Sequence, residues 1–291
     1  MRIIERPNAF RLFFTLRGSV LPRIAPTLLV CTASALAISL THGFVLHWKV
    51  TLTPVPFSLI GLALAIFLGF RNSAAYERFW EARKLWGSVV HRSRTLARQL
   101  QYLSIDAAAG EDPRARTIRR AIAYAHALRH QLRGDDAKSD VSAWLTPEEW
   151  RGFEAARLGT DYLLRRSAAE VGAWLREGRL QPQMAAQIDQ TLAALGAAQA
   201  GCERIKSTPI PFPYTLLLHR TAYLYCFLLP FGLTDVTGLL TPFVVAIVAY
   251  TFFGLDAVGD EIENPFGTSE HHLPLETLCQ TIEADLLEAC R

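Results

Sequence analysis

Residues 56–86 read PFSLIGLALAIFLGFRNSAAYERFWEARKLW, apolar as far as Phe70 and charged from Arg71 onward, with no proline after Pro56. Such a run predicts one long helix that begins in a membrane and ends in water. Two stripes run along its first half at a spacing of four. Leu62, Ile66 and Phe70 are bulky and apolar; Gly61, Ala65 and Gly69 are small. Residues four apart stack on one helix face, about 6 Å apart along the axis. Small stripes let backbones approach closely in lipid, where apolar burial gives no drive to associate. A ring of such helices packed through Gly61, Ala65 and Gly69 would turn the bulky stripe toward its own axis. Three stacked apolar rings, together roughly 12 Å tall, form a constriction that gates by dewetting. The same periodicity also suits a face turned to lipid or to a bundle core.

Of the 291 residues 51% are hydrophobic, high for a soluble protein and low for one wholly in membrane. A mixture of spans and a water-soluble part fits. A net charge of only +3 gives no nucleic-acid signature. The five cysteines, Cys31, Cys202, Cys226, Cys279 and Cys290, show neither CxxC pairing nor zinc spacing, so they read as reduced structural thiols.

Arg2, Arg6, Arg11, Arg17 and Arg23 make a basic leader longer than that of a cleaved signal, and the first span is expected to be retained. The apolar face of the leader suits either the cytoplasmic membrane interface or docking on the soluble part. Residues 24–46 form the first expected span, with Trp48 and Lys49 at its far interface. The second, 56–70, is short: uncharged sequence from Phe57 covers only about 21 Å, so its far end must be shielded by protein. Residues 71–207 are expected to be a helical cytosolic part. Within it Thr146-Pro147-Glu148-Glu149 resembles a capping box, 134–141 reads as a polar loop, and Pro182 opens a helix rich in Ala and Gly.

The third expected span, 214–229, is ended by Pro230 and Gly232 and contains His219 and Arg220. An ionisable group inside a membrane is a functional candidate; Arg220 equally suits the cytoplasmic interface. The fourth is 239–255, with Asp256, Asp260, Glu261 and Glu263 marking its return to water. With four spans and an inside N-terminus, Lys49 is the single one of 30 Lys and Arg in the outside segments. That bias places both termini and the whole helical insert in the cytosol.

The run Leu68-Gly69-Phe70-Arg71-Asn72, then Tyr76, Arg78, Trp80, Glu81, Arg83 and Lys84-Leu85-Trp86-Gly87, resembles the second transmembrane helix of bacterial bestrophins. Thr208-Pro209-Ile210-Pro211-Phe212 and Asn264-Pro265-Phe266-Gly267 extend the resemblance over most of the chain. It implies an all-α membrane protein of four transmembrane helices, with a cytosolic helical part. Five copies would surround a central pore that passes small monovalent ions passively, without a cofactor. It puts the neck at Leu62, Ile66 and Phe70 and a cytosolic aperture at Ile210. Animal and plant relatives pass chloride; relation to bacterial members leans to cations, with no residue carrying that choice. The arginines of the long helix either attract anions or are paired with acidic groups and set no field.

One departure matters. Animal members follow the Asn-Pro-Phe-Gly with an acidic run that completes a calcium clasp. Here Thr268, Ser269, Glu270, His271 and His272 follow, offering one carboxylate where calcium takes six to eight oxygens. Neither a calcium site nor a metal site at the two histidines is expected. A transporter would show inverted repeats and broken mid-membrane helices, and an enzyme a convergent polar pocket; the sequence shows neither. A membrane transporter or a non-conducting membrane scaffold stands as the alternative.

Overall fold

In a computed structural model of the chain, residues 15–16, 18–41, 44–45, 48–49, 53–103 and 112–289 are described, by backbone alone at 44–45 and 48–49. Most of the leader lies outside them, as does Cys290. The described residues are helical apart from turns and one short antiparallel ladder, Phe44–Val45 against Trp48–Lys49. Contacts divide the chain into two compact units. The first is Met1–Phe79, Pro209–Pro265 and Ser269–His272; the second is Trp80–Thr208, Phe266–Thr268 and Leu273–Arg291.

The first unit is a bundle of α1 (Leu21–Leu40), the start of α2 (Pro54–Leu100), α8 (Phe212–Thr237) and α9 (Thr241–Glu263). By length and composition Leu21–Leu40, Pro54–Leu100 and the stretch Phe212–Glu263 are apolar enough to cross a membrane. Consecutive helices run antiparallel. At one end the Ser39 hydroxyl donates to the Gly238 carbonyl at 2.9 Å and Phe57 lies against Gly232. Toward the other, Tyr214 donates to the Phe67 carbonyl and Arg23 pairs with Asp260 and Glu261. Leu64, Leu68, Cys31, Ala222, Cys226, Val245, Ala249 and Phe253 fill the core. Gly238, at φ +52°, makes the turn between α8 and α9, a backbone region that residues with a Cβ avoid.

Two expectations fail here for local reasons. The first apolar run was expected to stay helical to residue 46. Helix α1 instead ends at Leu40, where the Thr41 N–H and hydroxyl both donate to the Ala37 carbonyl and satisfy an acceptor of the last turn. Pro230 was expected to end the third span, yet α8 runs on to Thr237. A proline lacks the N–H that would bond the carbonyl four residues back. That carbonyl belongs to Cys226, and the buried Cys31 thiol donates to it at 3.5 Å. A neighbouring helix thus satisfies the freed group, as a membrane interior requires.

The second unit holds the rest of α2 with α3 (Pro113–Arg133), α4 (Lys138–Val141), α5 (Pro147–Ala155), α6 (Gly159–Arg176), α7 (Pro182–Ser207) and α10 (Leu275–Glu288). The expected polar loop 134–141 therefore contains one helical turn. The capping box at Thr146 and Glu149 is present, with both reciprocal bonds formed. Helix α3 is buried along most of its length despite its charges. Arg120 meets Glu149 at 2.5 Å and also Glu170, and Arg133 meets Glu276 at 2.7 Å. Burial would raise the Asp140 carboxyl, but hydrogen bonds from His130 and Arg129 outweigh it and hold it down at about 2. Burial pushes the Cys202 and Cys279 thiols up to about 12, so both stay protonated and unreactive at neutral pH. Gly201 admits Leu85, whose methyls would lie 2.8 Å from a Cβ there.

Candidate pore-facing surface and buried charge cluster

The buried positions of α2 in the first unit are Leu64, Leu68, Arg71 and Ala75, and in the second Ala82, Trp86, Val89, Ser93, Leu96, Ala97 and Leu100. In the first unit their spacing of four, three and four keeps them on one face of a helix with about 3.6 residues per turn. Residues two apart sit roughly 200° apart around such a helix. Burying Leu64 and Leu68 in the subunit's own bundle therefore turns Leu62, Ile66 and Phe70 away from it. They are 62%, 48% and 64% exposed, large for apolar side chains. The small stripe is split by the same geometry. Gly61 is half-buried, and a Cβ there would lie 2.6 Å from the Tyr225 hydroxyl. Ala65 and Gly69 are exposed, and a Cβ at Gly69 would meet nothing within 4 Å. Gly61 thus has a packing role inside its own subunit.

Below Phe70 the helix does not enter water at once. The side chain of Arg71 has no exposed surface. Its Nη1 donates to the Asp256 carboxylate at 2.8 Å and to the Asp256 carbonyl at 3.3 Å. Its Nη2 donates to Asp260 and faces Glu263 at 3.5 Å. Asp256 also takes a hydrogen bond from His219 Nδ1 at 2.7 Å, and Asp260 one from Arg23 at 3.1 Å. Asn72 donates to the Leu255 carbonyl, and a Cβ at Gly259 would lie 2.4 Å from the Asn72 amide oxygen. Glycine at 259 lets the two helices close on the ion cluster.

The acidic residues after the fourth apolar run were expected to mark its return to water. They remain in α9, and Asp256, Asp260 and Glu263 are turned onto Arg71 instead. The Arg71 guanidinium is enclosed by Asp256, Asp260 and Glu263 of its own subunit. Sequence reasoning missed this cluster because the partners lie 185 residues apart or more. The one available signal was an excess of acid in the last two turns of α9 matching the first basic residue of α2. His219, weighed as a membrane-embedded candidate, is a member of the cluster; Arg220 is exposed.

Ile210 is half-buried, and its N–H donates to the Glu263 carboxylate at 3.1 Å. The segment after Asn264-Pro265 satisfies itself. Ser269 N–H donates to His272 Nδ1 at 3.0 Å, so Nε2 carries the hydrogen and donates to the Glu261 carbonyl at 3.1 Å. Among the described residues no group of three or more His, Cys, Asp or Glu is placed to hold a metal. Of the arginines on α2, Arg71 is neutralised as above and Arg94 by Asp285 at 2.7 Å. These two contribute little to any long-range field.

Residues 1–288 match the family model described as bacterial/fungal bestrophin protein. A voltage-dependent anion channel-forming protein of Mesorhizobium japonicum is 45% identical over 292 residues, covering 99% of this chain and 92% of the relative. The protein of the same description from Escherichia coli K12 is 39% identical, covering 98% and 93%. A crystal structure of a bacterial bestrophin homologue from Klebsiella pneumoniae superimposes with a TM-score of 0.87 at 39% identity, covering 92% of this chain and 99% of that one.

Proposed function

The chain belongs to the bestrophin family, and on that premise we propose that it is a passive ion channel, a homopentamer in the bacterial inner membrane. Four spans per subunit come from the apolar parts of α1, α2, α8 and α9, the last two formed by the turn at Gly238 within Phe212–Glu263. Residues 71–207 and both termini lie in the cytosol. Leu62, Ile66 and Phe70 of five copies form the neck, and Ile210 lines the cytosolic aperture. Small monovalent ions pass, and no cofactor takes part.

The observation that carries this reading is the open stripe. Three large apolar side chains point away from the bundle that the described helices of the first unit form. A shared axis covers them and uses them at once, since an apolar ring resists wetting. The names of the relatives support ion conduction. An apolar neck does not select the sign of the ion.

Purified protein in a planar bilayer under a salt gradient tests the proposal. Discrete conductance steps with a reversal potential displaced from zero are expected, and the direction of displacement gives the sign of the permeant ion. Saturable flux without steps would mean a transporter, and no current a scaffold.

Packing of the ring has its own test at Gly69. A leucine there meets open space within its own subunit, so any loss of assembly reports on a neighbouring copy. Gly69→Leu is expected to yield mostly dissociated subunits by native mass measurement, and intact pentamers would contradict packing through Ala65 and Gly69. Gly61→Leu is no substitute, because it would strike Tyr225 inside the subunit.

A further inference from the structure

The segment Pro209-Ile210-Pro211-Phe212-Pro213 contains three residues with no N–H. Between Pro209 and Pro211 the Ile210 N–H is the one backbone donor, and the Glu263 carboxylate accepts it at 3.1 Å. Glu263 is the last residue of α9. Its second oxygen faces Arg71 Nη2 at 3.5 Å, and its carbonyl accepts from Arg78 Nε at 3.3 Å. Arg71 directly follows Phe70 and has no exposed side-chain surface. One side chain thus joins the proline-bounded segment to the helix turn that carries the innermost apolar ring.

We propose that Glu263 is a positioning residue for ion passage: it fixes Ile210 at the cytosolic mouth and is itself fixed by Arg71. This rests on the reading of Ile210 as the aperture. A proline-flanked backbone has few conformations, so one charge-assisted hydrogen bond suffices to choose among them. Loss of that bond frees the mouth without touching the neck side chains.

A double-mutant cycle in planar bilayers tests it, using the full-length channel. The readout is the permeability of a large ion relative to a small one of the same sign: N-methyl-D-glucamine against sodium, and gluconate against chloride. Ile210→Ala is expected to raise the ratio for the permeant sign by about threefold or more, a shift within the range of measurable coupling. Glu263→Ala should raise it in the same direction, and the double variant should not exceed the larger of the two single variants. Glu263→Gln, whose amide oxygen still accepts the Ile210 N–H, should stay near the parent value. A ratio unmoved by Glu263→Ala while Ile210→Ala moves it, or fully additive effects, overturns the positioning role. A ratio unmoved by Ile210→Ala overturns the aperture reading, and the proposal with it. If Glu263→Ala does not assemble, Glu263→Asp takes its place in the cycle. One methylene shorter, it withdraws the carboxylate from Ile210 but keeps the charge; an unchanged ratio then counts against the proposal.

Discussion

Arg71→Ala is expected to lower the melting point of the purified protein by on the order of 10 °C and to cut the yield of folded material sharply. The guanidinium is fully buried, and its removal leaves Asp256 inside the bundle without its cation. Breaking a buried ion pair from one side costs about 3–5 kcal/mol, because the remaining charge is left uncompensated. Each kcal/mol moves the midpoint of a large chain by about 2–4 °C. Arg71→Lys should fall between. A lysine keeps the charge but is a point donor, and cannot reach Asp256 and Asp260 with separate nitrogens of one planar fork. Thermal unfolding followed by size-exclusion chromatography reads both variants. An Arg71→Ala protein that melts within about 2 °C of the parent would show that the cluster does not hold the bundle together.

Conductance is the second large effect. Changing Leu62, Ile66 and Phe70 together to alanine is expected to raise single-channel conductance by about tenfold, which corresponds to about 1.4 kcal/mol off the barrier at the neck. Stability of the subunit should hardly move, because these side chains fill no space inside it. Exposed positions usually change stability by less than about 0.5 kcal/mol each. The contrast lies two residues away. Leu64 and Leu68 are 2% and 0% exposed and belong to the bundle core. Leu64→Ala or Leu68→Ala should cost about 2–5 kcal/mol through the cavity left behind, with no rise in conductance of the protein that survives. Unaltered conductance in the triple variant would remove the neck from the mechanism. An equal loss of stability in both sets would mean that the stripe packs rather than conducts.

The stripe at 62, 66 and 70 was legible because a helix repeats every 3.6 residues, and local spacing alone puts those three on one face. The capping box at Thr146 was legible for the same reason, since all of its atoms lie within four residues. The continuation of α8 through Pro230 was not. Proline is a local stop signal, and the Cys31 thiol that relieves it comes from another helix, 195 residues away in sequence. Gly61 was grouped with Ala65 and Gly69 because all three are small and evenly spaced; Tyr225, which separates it from them, arrives from α8.

From the sequence alone came the long apolar helices and the residues that share a face on each, because these follow from short-range periodicity and hydropathy; helix ends such as those at Leu40 and Thr237 did not. Tertiary structure decided which face each helix spends on its own subunit, and so which one is left open. It also decided that Arg71 meets Asp256, Asp260 and Glu263 rather than water. A charge in a sequence is drawn to solvent or to an opposite charge with comparable force, and only folding fixes which of the two lies within reach.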